Sequence, residues 1–278
     1  MSKTLLRGLD LIEEVGRHGP MTVTELARRT GVHITIVSRT IKACEPEGWL
    51  VRVDGKVLPG PRCALLGLTS PVSRTIGEAE PLVRAIAAVT GLAASADGLV
   101  GSDLMMLTSF GAAGAAELAG ALSRVPIYVL AAGRAVAAQL PAERLDAVLP
   151  VEPFPGVEQL LASLNEAAPT SAYLAGFHPE PDPGAAVPRT RAELEAELEE
   201  IRGSGFARDH GGIHPSIHCI AAPWPTDTIP AAFACFGSRE RIEADAALIE
   251  ATLRAAAKPG ATAQDVLDAA SAARSPNS

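Results

Sequence analysis

Val23, Leu26 and Ala27 recur at helical spacing, with Arg28 and Arg29 on the other side of the same turns. Ile34, Val37 and Ile41 form a second apolar stripe a few residues on. This pattern predicts two short helices. Thr22 is a good N-cap for the first, and Glu25 three residues later completes a capping box. Gly31 ends that helix, because a residue without Cβ takes φ > 0 at little cost. Pro46 lacks an N–H and clashes with the preceding turn, so the second helix is expected to stop or bend by Glu45. The pattern then changes. Gly48 to Leu58 reads as a small hairpin around Asp54-Gly55, a strong two-residue turn signal. A further helix is expected over residues 3–18. Helix, tight turn, helix and wing present the second helix to a DNA major groove. Thr35, Ser38, Arg39 and Lys42 lie off its apolar stripe. Arg52 and Lys56 flank the wing turn, within reach of phosphates. With Thr24, these seven residues are the candidate DNA contacts.

The rest of the chain carries a mixed pattern. Residues 61–78 read as a linker helix whose Ala64–Leu68 segment is apolar enough to pack against a second copy. Glu80–Thr90 reads as a helix ending at Gly91, and residues 92–110 as a hairpin of a buried sheet. Residues 133–147 are helical, with Pro141 opening a second helix, and Arg189–Arg202 is a charged amphipathic helix. Ile217–Ala222 and Ala231–Phe236 read as adjacent strands, and Ala244–Ala256 as a closing helix. After Lys258 bulky residues are few, so a frayed or separately helical tail is expected. The expected division is residues 1–60, winged helix-turn-helix; 61–78, linker helix; 79–257, a second domain; and 258–278, tail. The fold class is α/β, more strictly α+β.

Charge sharpens this reading. The chain is acidic overall, with a formal net charge of −8, yet residues 1–62 hold ten Lys or Arg against seven Asp or Glu. An acidic chain with one basic end suggests a module that faces an anionic partner. The alternative, a helical hairpin with solvated charges, accounts for neither the wing nor that imbalance. The 278 residues leave room for two domains. No apolar run reaches the ~20 residues that span a bilayer, so no membrane partner is expected. The charged first helix argues against a signal peptide. Four scattered cysteines, at 44, 63, 219 and 235, point to a reduced, cytoplasmic protein.

Several short matches, in order, give a resemblance over nearly the whole chain. They are Leu6–Ile12 (LRGLDLI), Thr24–Ala27 (TELA), Val37–Arg39 (VSR), Gly48–Leu50 (GWL), and Asp54-Gly55 leading into Gly60–Arg62 (GPR). Further on come Pro126–Tyr128 (PIY), Ala131–Ala135 (AAGRA), Leu140–Leu145 (LPAERL) and Cys219–Pro223 (CIAAP). In these the chain resembles the IclR family of bacterial transcription regulators. The resemblance implies a winged helix-turn-helix, a linker helix and a C-terminal effector-binding domain with a GAF-like or profilin-like fold. It also implies a homodimer or homotetramer that binds double-stranded operator DNA and responds to a small-molecule effector.

Residues 150–188 depart from the family by being longer and rich in Pro and Gly, with an inserted helix expected over Val157–Ala167. A lid and a tolerated surface loop both fit; the loop costs less. The expected effector pocket also departs. Family members often place two Ser residues in the final strand, where this chain has Ala234 and Phe236. By strand alternation Ile217, Cys219 and Ala221 face one way and His218 the other, while Ala234 and Phe236 share a face with Cys235 behind. Replacing hydroxyls by methyl and phenyl favours a flatter, more hydrophobic ligand, a small aromatic acid or amide-like derivative; a plain core face is the competing reading. The candidate effector contacts are Met105, Met106, Tyr128, Ala131, Gly133, Asp209, His214, Cys219, Ala234 and Phe236. Backbone N–H groups at the 131–134 helix start are expected to offer donors to a ligand oxygen.

His210, His214 and His218 are spaced by four, but Gly211, Gly212 and Pro215 argue against a helix that would gather them round a metal. A metal-responsive or effector-independent DNA-binding protein is the runner-up reading. No metal or other cofactor is expected. Cys219 and His218 alternate on a strand and do not pair as nucleophile and base. No G-x-S-x-G, P-loop or G-x-G-x-x-G occurs, so no enzyme is expected.

Overall fold

The computed structural model describes residues 3–111, 124–160, 162, 187–212 and 217–275. The chain divides into two compact units, Met1–Arg74 and Thr75–Ser278.

The first unit holds helices α1 (Lys3–His18), α2 (Val23–Thr30) and α3 (Ile34–Cys44), strands β1 (Leu50–Val53) and β2 (Lys56–Pro59), and helix α4 (Pro61–Thr69). The Thr22 side chain accepts from Glu25 N at 3.2 Å, and Gly31 closes α2 at φ 65°. The α3 helix ends at Cys44, two residues before Pro46, as the missing donor requires. Asp54 and Gly55 both have positive φ, the signature of a type I′ turn. Met21 adds a bridge to Val57, which the sequence pattern did not indicate. Leu11, Val15, Leu26, Val37, Ile41, Leu50 and Val57 make the small core. Burial of that core, rather than the short helices' own propensity, holds the unit together.

The expected single linker helix is instead broken. Ser70 is extended (φ −80°, ψ 127°), and α5 (Pro71–Thr90) begins at the following residue. Pro71 explains the break, because it disfavours the α region for the residue before it and is well placed at a helix start.

The second unit is a six-stranded antiparallel sheet between two layers of helices. Its strands are β3 (Ala93–Val100), β4 (Asp103–Phe110), β5 (Arg124–Pro126), β6 (Ala207–His210), β7 (His218–Trp224) and β8 (Ala231–Gly237), in spatial order β5-β4-β3-β8-β7-β6. On one face pack α6 (Ala131–Ala137), α7 (Ala142–Val148) and α8 (Arg191–Ser204), which join Leu99, Leu104, Ala221, Ala234 and Phe236 in one apolar cluster. On the other pack α5, α9 (Arg239–Ala244), α10 (Ala246–Ala256) and α11 (Ala263–Arg274), with Ala94, Ala96, Ile220, Trp224 and Phe233. The two faces separate by strand alternation. The α5 helix runs nine residues further back than the apolar pattern suggested, and Pro81 inside it removes one intrahelical bond. The tail forms α11, opened by a Thr262–Asp265 capping box, with Val266 and Ala270 buried. Most of the 150–188 insertion, including the greater part of the expected Val157–Ala167 helix, lies outside the described residues. Its base is tied by Phe154 N donating to Arg189 O and Arg189 Nε to Phe154 O, both at 2.6 Å. Among the described residues no helix is long and apolar enough to cross a membrane.

Candidate nucleic-acid interface and effector site

On α3, Val37 and Ile41 point into the core, which turns the opposite side of the helix outward. Thr35, Ser38, Arg39 and Lys42 meet there with Ile34 around one shallow concavity. Thr35, Arg39 and Lys42 are exposed and Ser38 half-buried. The helix start is fixed by His33, whose Nδ1 accepts from Thr35 N at 3.3 Å. Thr24 is exposed in the first turn of α2.

The wing residues are not equivalent. The hairpin register opposes Arg52 to buried Val57, and Lys56 to Val53. Directly opposed residues share a face, so Arg52 and Lys56 point to opposite sides of the wing. Arg52 turns back to Glu45 at the end of α3, 3.1 Å from its carboxylate. Of the two residues expected to reach phosphate, Lys56 is exposed at the turn, while Arg52 is paired with Glu45. The two-residue turn already implied this register, since it makes 53 and 56 partners and leaves 52 with 57.

In the second unit, Cys219, Ala234 and Phe236 lie on the sheet face covered by α6. Asp209 joins them through its register with Cys219. Met106 shares that face as the partner of Asp97; Met105, opposite Gly98, points to the other side and leaves the candidate set. Tyr128 is fully buried, its hydroxyl donates to Pro155 O at 2.7 Å, and burial pushes its pKa to about 12. That hydroxyl is engaged in holding the insertion's base. Ala131 and Gly133 belong to α6, all of whose residues are buried. A Cβ on Gly133 would meet Ile127 O at 2.1 Å, so this glycine lets helix and backbone approach rather than serving a ligand. His214 lies outside the described residues.

Arg134 is the hub of this side. Only 4% exposed, it donates through Nη1 to Val129 O at 3.0 Å and Tyr128 O at 3.4 Å, and through Nη2 to Arg208 O at 2.8 Å. Its Nε lies 2.9 Å from Glu197 Oε2, close enough for an ion pair but misaligned as a hydrogen bond. Burial raises the Glu197 pKa, against the pull of Arg134. Beside them opens a cleft of about 360 Å³ whose walls include Arg134, Glu197, Ile201, Phe206, Asp209 and Gly212. Asp209 is 7% exposed and accepts from Gly211 N at 3.1 Å and Gly212 N at 2.7 Å. Of the nine candidate effector contacts among the described residues, Asp209 alone borders this cleft.

Three polar residues of this face escaped sequence reasoning. For Arg134 the sequence indicates only a place at a helix start, not a buried hub. Ser95 and Asp97 alternate with alanines in β3, a pattern that ordinarily marks a solvent face, yet α6 covers it and both are 2% exposed. Burial lifts Asp97 to about 7, opposed by the hydroxyl of Ser95. Burial, followed by the charge of Asp209, also raises the Cys219 thiol well above its usual value, which leaves it neutral. On the opposite face His210 and His218 are register partners of the antiparallel β6–β7 pair, with ring centroids 5.9 Å apart. Among the described residues no group of three ligating side chains gathers.

The family model of the MarR family matches residues 6–56, most of the first unit. No significant match is found among curated protein sequences. Solved structures match over almost the full length. The IclR transcriptional regulator of Alicyclobacillus acidocaldarius is 18% identical with a TM-score of 0.54, covering 97% of this chain and 99% of that one. Thermotoga maritima IclR is 17% identical with a TM-score of 0.53, covering 96% and 98%. An IclR homologue from Microbacterium hydrocarbonoxydans, solved with 4-hydroxybenzoate, is 18% identical with a TM-score of 0.55, covering 97% and 100%. With a winged helix first and a helix-covered antiparallel sheet second, in the same order over nearly the same length, the chain has the fold of the IclR transcriptional regulators.

Proposed function

We propose that this protein is a cytoplasmic IclR-type transcriptional regulator, not an enzyme, that binds operator DNA as a homo-oligomer and is modulated by a small aromatic effector in its second unit. The observation that carries the DNA reading is the α3 surface, where Thr35, Ser38, Arg39 and Lys42 meet on the side turned away from the core. Short polar groups beside two cations suit base edges flanked by phosphates. Fluorescence anisotropy with DNA from upstream of the gene tests it. Arg39→Ala is expected to lose affinity at least several-fold while staying folded, and wild-type affinity in that variant would contradict the assignment.

Self-association is supported by exposed leucines on two helices of the first unit, Leu6 and Leu9 on α1 and Leu65, Leu66 and Leu68 on α4. One winged helix reads few base pairs, and a two-fold pair doubles the site. Light scattering at micromolar concentration is expected to give a dimer or tetramer. A monomer contradicts the reading.

The effector site is proposed on the α6-covered face, from Phe236, Ala234 and Cys219 to the cleft at Asp209. The aromatic class is supported by the apolar substitution at Ala234 and Phe236 and by the 4-hydroxybenzoate bound to the Microbacterium protein. Calorimetry with a panel of benzoates, benzamides and short aliphatic acids tests it; binding of aliphatic acids alone contradicts it.

A further inference from the structure

On the face beneath α6, β3 places two polar side chains among small apolar ones. Ser95 stands opposite Ala234 of β8, and Asp97 stands between Ala232 of β8 and Met106 of β4. The Ser95 hydroxyl donates to Asp97 Oδ2 at 2.7 Å. Among the described residues this is the hydrogen bond Asp97 receives from a side chain. The guanidinium on this side, Arg134, is committed to Glu197 and to three backbone carbonyls. Residues 112–123, 163–186 and 213–216 contain no Lys or Arg, so they supply no permanent cation either. Asp209 of β6 and Glu197 of α8 add two more carboxyl groups to the same side. A buried carboxyl group without a cation is costly unless something donates to it.

We propose that Asp97, held by Ser95, is the deep polar anchor of the effector site, and that the site takes a small aromatic ligand bearing a nitrogen donor, an amide or amine, in preference to a carboxylate. This rests on the effector-site reading above. Nitrogen donors complete the hydrogen bonding of Asp97, whereas a ligand carboxylate adds a fourth negative group to a face whose arginine is already engaged. Ala221, Ala232 and Ala234 put only methyl groups on the sheet face that Asp97 shares, with Met106 as a flexible apolar neighbour.

Calorimetry on the full-length protein with benzamide, benzylamine and benzoate decides between these chemistries. At pH 7.5 benzamide and benzylamine are expected to bind at least tenfold tighter than benzoate. The near-isosteric Asp97→Asn is expected to weaken benzylamine at least tenfold and to leave benzoate unchanged or tighter. A second readout uses the wild type alone, in case the variant does not fold. Burial puts Asp97 near pKa 7, so benzylamine affinity should rise between pH 6 and pH 8 as the carboxyl group ionises. The other titratable or charged groups facing this side are Cys219, Asp209, Arg134 and Glu197; loss of the pH effect in a folded Asp97→Asn assigns it to Asp97. Benzoate binding tightest, or a ranking unchanged in Asp97→Asn, overturns this inference and leaves the effector-site reading standing. Binding by none of these three nor by 4-hydroxybenzoate overturns both.

Discussion

Arg39 and Arg134 are two arginines in opposite circumstances. Arg39 stands exposed on α3, where its neighbours are other residues that project outward. Arg134 is buried beneath α8 and ties the carbonyls of residues 128, 129 and 208 to Glu197. The same contrast holds for the carboxylates: Glu45 takes an exposed partner in Arg52, while Asp97 is enclosed and accepts from the hydroxyl of Ser95. The first unit displays its chemistry on a surface and needs its core only as a frame. The second builds its chemistry into the core, so there folding and function draw on the same side chains. Substitutions in the first unit should therefore separate binding from stability, and those in the second should couple them.

The sharpest break is expected at Arg134. Glu197 is partly exposed, so the cost of Arg134→Ala lies mainly in the carbonyls of residues 128, 129 and 208 that lose their donor, about 3 kcal/mol in all, and the thermal midpoint should fall by several degrees. A change below about 1 kcal/mol would show that this hub is not structural.

Asp97 sharpens the comparison through pH. Its folded pKa, about 7, lies above the unfolded value of 3.8. Its contribution to stability is full below pH 4 and is lost as pH rises through 7, by a few kcal/mol at most. Asp97→Asn should remove this loss, so the variant should gain on the wild type between pH 5 and pH 8 in denaturant melts. Parallel curves for the two proteins contradict it.

Next in size is Arg39→Ala, with about 1–3 kcal/mol of operator affinity lost and an unchanged melt. In the same unit Thr22→Ala should reverse that outcome, losing about 1 kcal/mol of stability from the α2 cap with operator contacts intact. The smallest effects belong to the wing. Lys56→Ala should reduce the salt slope of binding by ~1, and Arg52→Ala by less, because Arg52 is shared with Glu45. Equal slopes would show that the Glu45 contact gives way on DNA.

The first unit was largely legible in the sequence because its signals are local. Thr22, Gly31, Pro46 and Asp54-Gly55 each dictate a cap or turn by their own chemistry, and the stripe of Ile34, Val37 and Ile41 orients α3. The strand faces of the second unit were also legible, since Cys219, Ala234 and Phe236 follow strict alternation. What escaped was decided by pairing between distant segments. Met105 and Met106 look interchangeable until β4 is set against β3. Tyr128 reads as a free hydroxyl until Pro155 arrives beside it. Residues 92–110 read as a hairpin of a buried sheet, but that Ser95 and Asp97 lie enclosed depends on α6, some 35 residues later, which covers their face. Arg52 was different: its side of the wing followed from the turn type and was within reach of a closer reading.

The central claim is that α3 reads DNA and that the second unit modulates that reading through a small ligand. Anisotropy of a labelled fragment from the gene's own upstream region, titrated with wild type and Arg39→Ala with and without an aromatic ligand, tests both halves together. The account predicts tight, salt-sensitive wild-type binding that the ligand shifts, and at least a several-fold weaker complex for folded Arg39→Ala. Equal affinity of the two proteins, or binding that no aromatic ligand alters, contradicts it.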